Sequence, residues 1–384
     1  MTFCALSSAK GMDIKMKILF LIPNLMHGGA EKVLVNLVNN MSKDKYEITV
    51  QTLFDEGIHK KNLKSHIRYK SNFKKTFKGY TTIMKLFSPE FLYKRLIGEE
   101  YDIVVAYLEG AVARILSECP YSNTKKVSWI HIEQENQENF AHCFKSFEEA
   151  KKCYNAFDKI ICVSQTVADD FRKISGYEKQ LSVLYNTNET EKIKEKGSES
   201  VNDVEFGQEC INVCSVAKIM YTKGYDRLAK VHKKLLDEKL NHHIYILGIG
   251  EEQNKIEDYL RKHNLENSFT FLGFKENPYK YVSKCDLYVC SSRREGFSTA
   301  VTEALVLGVP VVSTECSGAV ELLGENNEYG IVVENSEDGI HQGMKKMLED
   351  EKTLERYKEK AKERGAFFSK KKTVKAVEDM FQSL

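Results

Sequence analysis

Residues 285–312 read Cys285-Asp-Leu-Tyr-Val-Cys290-Ser-Ser-Arg-Arg-Glu295-Gly-Phe-Ser-Thr-Ala300-Val-Thr-Glu303-Ala-Leu-Val-Leu-Gly308-Val-Pro-Val-Val312. The apolar run ending near Ser292 has the two-faced character of a strand buried in a parallel sheet. A loop with Glu295 and Gly296 follows, Ser298 is of the residue types that cap a helix start, and Gly308 marks where that helix stops. Strand, loop, helix and strand in this order make one unit of a doubly wound sheet. A helix N-terminus opening just past a strand's carboxyl end offers unpaired N–H groups and a partial positive charge, which suits a phosphate or diphosphate. Glu295 before the helix and Glu303 inside it place two carboxylates on opposite sides of such an anion, positioned to accept hydrogen bonds from different hydroxyls.

The same rhythm extends in both directions. Around this segment, strands are predicted at Ile211–Ala217, His243–Leu247, Ser268–Leu272, Asp286–Ser291, Val309–Ser313 and Tyr329–Val333, with helical patterns at Asp226–Glu238 and Asn254–His263. An earlier series runs through Lys17–Ile22, Glu47–Leu53, Asp102–Tyr107, Lys126–Ile130, Lys159–Val163 and Ser182–Tyr185. The fold class is therefore α/β, with two Rossmann-like doubly wound domains facing each other across a cleft, where open α/β sheets take their ligands. The expected organisation is a disordered leader at 1–15, or a start at Met16 in its place, an N-terminal domain at 16–190 and a linker at 191–208 where apolar periodicity is lost. A C-terminal domain at 209–365 and a final helix at 366–384 that packs back on the first domain complete it.

Composition narrows the partners. With 57 Lys plus Arg against 55 Asp plus Glu, the net charge is +2 at pH 7, which excludes a dedicated nucleic-acid binder. The 10 cysteines contain no CxxC pair and read as small apolar residues in a reducing cytoplasm. No apolar run is long enough to span a bilayer, and no secretory signal opens the chain.

A second element supports an anion site. In Val216-Ala217-Lys218-Ile-Met-Tyr-Thr-Lys223-Gly224 a strand ends and two lysines flank the loop that opens the next helix. Both reach the strand ends where the Glu295 loop emerges, and lysine is a natural point charge for phosphate. Together these segments resemble glycosyltransferase family 4, the retaining, nucleotide-sugar-dependent enzymes of the GT-B fold, over nearly the whole chain from Met16. The resemblance rests on the E-x7-E motif at Glu295 and Glu303, the following Gly308-Val-Pro-Val-Val, and Ala217-Lys218-Ile219 with Lys223-Gly224 where the family usually has Gly-Arg-Leu and Lys-Gly.

The resemblance implies that Lys218 and Lys223 bind the donor diphosphate, Glu303 the ribose and Glu295 the transferred sugar. At 218, lysine keeps the charge of the family's arginine but lacks its bidentate fork. Gly28-Gly29-Ala-Glu31 resembles the family's glycine loop, and His131 in Trp129-Ile-His131 the histidine near the transferred sugar. Leu247-Gly-Ile-Gly250 and Phe271-Leu-Gly-Phe274 resemble the loops over the nucleotide. The expected catalytic set is thus His131, Lys218, Lys223 and Glu295. The expected nucleotide-sugar contacts are Gly28, Gly29, Gly250, Phe274, Gly296, Phe297, Ser298, Thr299 and Glu303. The absence of Asp-x-Asp leads to the expectation that no metal or other cofactor is used, the helix start at Ser298 and Thr299 helping to neutralise the leaving group.

Between Lys60 and Arg95 stand eleven Lys or Arg against Glu90 alone, interleaved with aromatics such as Phe73, Phe77, Phe87 and Phe91. This stretch, 60–95, reads either as a solvated basic face or as a contact with an anionic membrane. The expected protein is a retaining hexosyltransferase of the cytoplasm, peripheral at the inner face of the membrane. It would move a sugar from a nucleotide diphosphate sugar, UDP-sugar first, to a lipid-linked or saccharide acceptor in surface polysaccharide assembly. The alternatives are a nucleotide-sugar epimerase of the same fold and a catalytically inert partner subunit.

Overall fold

The computed structural model describes residues 15–26 and 28–384, so the leader expected at 1–15 lies outside the described residues except for Lys15. The first sheet has seven strands: β1 (Met16–Ile22), β2 (Tyr46–Phe54), β3 (Arg68–Phe73), β4 (Ile103–Ala106), β5 (Lys125–Ile130), β6 (Lys159–Cys162) and β7 (Leu181–Val183). Their order is β3-β2-β1-β4-β5-β6-β7, all parallel. The second sheet has six: β8 (Ile211–Val216), β9 (His242–Leu247), β10 (Phe269–Gly273), β11 (Leu287–Cys290), β12 (Val311–Thr314) and β13 (Ile331–Val333). They run β10-β9-β8-β11-β12-β13, again parallel.

The central strands carry the signature of burial on both faces. Residues 18–22 of β1 are fully buried, as are all four residues of β4, and Leu287–Cys290 of β11 is buried throughout. In each sheet the strand order reverses at one place, between β1 and β4 and between β8 and β11. Such a reversal sends the connecting helices to opposite faces and opens a crevice at the strands' carboxyl ends. The loops after β1, β8 and β11 carry Gly28, Lys218 with Lys223, and Glu295.

The sequence pattern missed one strand. Arg68-Tyr-Lys-Ser-Asn-Phe73 shows no alternation of apolar and polar residues, yet pairs with β2 from Thr49↔Arg68 to Phe54↔Phe73. As an edge strand it needs little apolar burial. Its charges are met by Glu99, which accepts from Arg68 Nη1 at 3.1 Å and from Lys70 Nζ.

The stretch 191–208 holds more order than its composition suggests, because Thr190–Gly197 is a helix. Ile193 is its one large apolar buried side chain, packed against Tyr279 and Val306 of the second half, while the other buried positions are Thr190 and Gly197, so no apolar periodicity is visible in the sequence. Phe206 then packs tilted against Tyr245 with ring centroids 4.9 Å apart.

At the far end the helix Glu351–Phe367 lies so close to the helix Thr299–Val306 that a Cβ on Gly365 would sit 2.4 Å from the Leu305 carbonyl oxygen. The chain then crosses to the first sheet. In the helix Lys370–Gln382, Phe381 meets Phe20 of β1 edge to face at 6.0 Å, and Glu378 accepts from the Ser42 N–H at 2.7 Å. Phe368, at the crossing, is wedged between Tyr185 and Phe297. Among the described residues no helix is long and apolar enough to cross a membrane, and nine cysteines are free thiols.

Candidate active site

The helix Thr299–Val306 opens where the first domain meets the second. Ser298 caps it, accepting from the Val301 N–H at 3.3 Å. Gly308 ends it with φ +76°, a left-handed conformation that disfavours a side chain. Gly29 borders the helix start, where a Cβ would make ordinary contact with Thr299 Oγ1 at 3.5 Å, whereas one on Gly296 would overlap the His131 carbonyl oxygen at 1.8 Å and one on Gly250 that of Ile219 at 2.0 Å. Glycine at 250 and 296 lets the backbones of separate loops touch.

Across the junction, Ser164 Oγ donates to the Gly296 carbonyl and Asn186 Nδ2 to the Phe297 carbonyl, each at 3.2 Å. The Gln165 N–H donates to Glu321 Oε1 at 2.6 Å. The two domains are therefore held together directly behind the candidate site.

Each carboxylate of the motif has a lysine partner. Lys223 Nζ lies 2.7 Å from Glu295 Oε1, which also accepts from Ser292 Oγ at 2.7 Å. Burial opposes the Lys223 charge, but the Glu295 carboxylate outweighs it and holds the lysine pKa above its ordinary value. Glu303 is 7% exposed and meets Lys32 Nζ at 2.5 Å, while Tyr279 Oη stands 2.8 Å from the same nitrogen. Burial likewise opposes the charge on Lys32, and Glu303 and Tyr279 together raise its pKa. Neither carboxylate faces a solvated surface. The sequence places them on opposite sides of an anion site; in the structure both are paired within the protein, one inside the second domain and one across the junction.

His131 follows β5 directly. Its ring lies 4.8 Å from that of Tyr107 and nearly parallel to that of Trp129 at 6.5 Å, and its Nε2 is buried without a hydrogen-bond partner among the described residues. Burial pulls its pKa down to about 3, so the imidazole is neutral at pH 7. Its backbone N–H donates to Glu109 Oε2 at 3.0 Å, and burial pushes the Glu109 pKa up.

Lys218 and Phe274 are exposed on the loops that follow β8 and β10, and Gly28 caps the first helix of the chain. Phe297 needs correction. Its side chain is buried, stacked on Tyr185 at 5.1 Å and edge-on to Phe368 at 5.8 Å, so it is a packing residue and only its backbone borders the site. Both neighbours come from distant parts of the chain, which no local pattern reports.

Lys32, Tyr279, Glu109 and Arg294 were not anticipated. Lys32 lies one residue after Gly28-Gly29-Ala-Glu31, and Glu109 sits just past a strand's carboxyl end, so position alone marked both. Tyr279 carried no signal. Arg294, inside the motif loop, reaches the Glu133 carbonyl and lies 3.0 Å from Glu135. Among the described residues no group of three or more His, Cys, Asp or Glu is placed to hold a metal ion.

Residues 27–192 match the family model described as Glycosyltransferase Family 4, and residues 199–364 match that described as Glycosyl transferases group 1. Over 196 residues the chain is 36% identical to the N-acetylgalactosamine-N,N'-diacetylbacillosaminyl-diphospho-undecaprenol 4-alpha-N-acetylgalactosaminyltransferase of Campylobacter jejuni, matching 50% of this chain and 51% of that one. The match thus spans about half the length of that relative. Over 143 residues it is 28% identical to the capsular polysaccharide biosynthesis glycosyltransferase CapM of Staphylococcus aureus, covering 36% of this chain and 37% of that one. The structure is similar to that of Anabaena HepE in complex with UDP, with TM-score 0.76 at 19% identity, covering 96% of this chain and all of that one.

Proposed function

We propose, for a chain that belongs to glycosyltransferase family 4 and has the GT-B fold, that it is a retaining hexosyltransferase using a UDP-sugar and a lipid-linked or saccharide acceptor in surface polysaccharide assembly. The observation that carries this reading is the Lys223–Glu295 pair, 2.7 Å apart past the carboxyl ends of β8 and β11, on a loop whose next residue, Gly296, lies against the His131 carbonyl and which leads into a capped helix start beside Gly29. Anion charge, sugar hydroxyls and a close-approach glycine loop are then served from one place.

In this reading the diphosphate lies against Lys218, Lys223 and the N–H groups at Ser298 and Thr299, with Glu303 on the ribose and Glu295 on the sugar. The acceptor oxygen forms its bond to the anomeric carbon on the face from which the diphosphate departs. The anomeric carbon–oxygen bond to the diphosphate breaks with its electron pair, and the acceptor's proton passes to the departing diphosphate oxygen. His131, neutral and with Nε2 unpartnered, offers that nitrogen to a sugar hydroxyl. In this reading Lys218, Lys223 and the helix start supply the positive charge that a metal would otherwise provide. Support for the base comes from Anabaena HepE, whose structure contains UDP, and support for a lipid-linked acceptor from the diphospho-undecaprenol named for the Campylobacter relative.

Thermal shift with UDP-, GDP-, ADP- and CMP-sugars, each with and without EDTA, tests the donor, since a ligand that binds only the native state raises Tm. Stabilisation by UDP-sugars, unchanged by EDTA and lost in Glu303→Ala, is the expected result. Sensitivity to EDTA would overturn the metal-free reading, and no stabilisation by any of them would favour an inert partner subunit. Transfer to polyprenyl-diphosphate-linked saccharides, against free saccharides, then separates the acceptors.

A further inference from the structure

The first domain presents an exposed apolar ridge inside its basic stretch. Phe73, Phe77, Ile83, Leu86, Phe87 and Phe91 are all exposed, Leu86 by 75%. Phe87 and Phe91 stack at 5.0 Å, while Phe77 packs edge-on against Phe54 at the carboxyl end of β2. Monomeric soluble proteins rarely gather so many large apolar side chains in one surface segment without a partner for them.

Two further observations identify the partner. Between Phe73 and Pro89 the chain has Lys74, Lys75, Lys78 and Lys85 and no acidic residue, so the ridge is set in positive charge. The segment is also held in place from below. Arg114, 1% exposed and paired with Glu149 at 2.9 Å, donates through Nη1 to the Met84 carbonyl at 2.9 Å and through Nη2 to the Phe87 carbonyl at 2.8 Å. A buried guanidinium thus clamps the backbone on both sides of Leu86. A second clamp, Thr76 Oγ1 donating to Glu56 at 2.6 Å, holds the start of the ridge. Leu86 and its neighbours are fixed outward at small entropic cost. Apolar side chains held out within a lysine-rich surface fit the interface of a bilayer with anionic lipids, where rings and aliphatic tips enter the acyl boundary and lysines meet the headgroups.

We infer that residues 73–91 form a preformed docking surface for an anionic membrane, with Leu86 at its tip. The ridge begins at the carboxyl end of β3, on the side of the first sheet that faces the candidate site, so docking brings the acceptor side of the cleft to the bilayer. This orientation rests on the proposed lipid-linked acceptor; the docking itself does not.

The experiment is co-sedimentation of the full chain with vesicles of phosphatidylcholine alone or mixed with phosphatidylglycerol, at low and high salt. Binding is expected only to the mixed vesicles and should weaken as salt rises. Lys74→Gln/Lys75→Gln/Lys78→Gln should lower affinity on the order of a hundredfold, each lysine near the surface contributing about fivefold, and should flatten the salt dependence. Leu86→Ser, at a position too exposed to disturb folding, should lower it about tenfold and leave the salt dependence as it was. Absence of binding to the mixed vesicles, or binding unmoved by either variant, overturns the inference. Self-association in sedimentation velocity that is lost in Leu86→Ser, without vesicle binding, would assign the ridge to a second copy of the chain and also overturn it. UDP-sugar thermal shifts on the same variants should match the wild type. If wild type and variants alike show no shift while vesicle binding holds, the donor reading fails and the docking surface stands.

Discussion

The two carboxylates of the motif stand eight residues apart and both are paired to lysine, but the pairs belong to different mechanical units. Lys223–Glu295 joins two loops of one sheet, at the ends of strands separated by a single ladder, and Ser292 adds a third partner. Lys32–Glu303 joins the first helix of one domain to a helix of the other. Both members of the local pair lie in the second domain, although Arg294 and Gly296 on either side of Glu295 also touch the first. The bridging pair exists only while the domains are together, and its carboxylate is the one proposed to take the ribose. The difference separates a preformed charge arrangement from one that a ligand must displace.

The sharpest way to break this comparison is to remove the local pair. Lys223→Ala or Glu295→Ala should lower transfer by about a hundred- to a thousandfold, the loss typical of a preorganised charge contact in an active site. Transfer within tenfold of wild type in either variant, measured with excess UDP-sugar and acceptor, would remove the pair from the chemistry.

A second test acts on the junction behind both pairs. In Gly296→Ala the new Cβ has no room beside the His131 carbonyl, so the Ser164 and Asn186 contacts must open. A destabilisation of about 1–3 kcal/mol is expected from such overpacking, read as a lower Tm. An unchanged Tm would mean that the approach of the domains is loose.

Acid should act on the frame of the local pair. In the second domain His232 Nδ1 and His242 Nε2 lie 2.8 Å apart, joining the helix Tyr225–Asp237 to β9, and His232 Nε2 meets Ser268 Oγ at 2.9 Å. Burial, and then the neighbouring histidines, pull the His232 pKa down to about 2, against about 6.5 in the unfolded chain. The unfolded state therefore binds more protons below that value. The stabilisation is complete above pH ~6.5 and falls with acidity, by up to about 1.4 kcal/mol per pH unit for this group. The Tm of the wild type should drop more steeply between pH 6 and 4 than that of His232→Gln; parallel curves would show that the histidine contact does not contribute.

The smallest expected effect sharpens the bridging half of the comparison. Lys32→Ala frees Glu303 from its cross-domain partner, so UDP-sugar affinity should hold or rise a few-fold, while hydrogen exchange over residues 29–40 quickens. A tenfold or greater loss of affinity by calorimetry would instead place Lys32 on the donor.

The legible and illegible parts of the site divide along similar lines. The strand–loop–helix reading of 285–312, the cap at Ser298 and the stop at Gly308 were visible because each depends on neighbouring residues alone: burial on both strand faces, one side-chain oxygen, one left-handed φ. The alternation of strands and helices located the carboxyl ends where Gly28, Lys223 and Glu295 emerge. β3 escaped because an edge strand can be built from polar residues. The helix Thr190–Gly197 escaped because, of its buried positions Thr190, Ile193 and Gly197, only Ile193 carries a large apolar side chain.

The sequence by itself determined the parallel α/β architecture, the family resemblance and the placing of lysines and carboxylates at strand ends, since these are set by local periodicity and short motifs. Only the tertiary structure decided which lysine meets which carboxylate, that Phe297 packs between Tyr185 and Phe368, and that Arg114 clamps the ridge at Leu86. The reason is one of distance along the chain. Lys32 and Glu303 are 271 residues apart, and Arg114 lies 27 residues from Phe87, so these contacts are chosen by how the sheets stack and the domains join, which no short window of sequence contains.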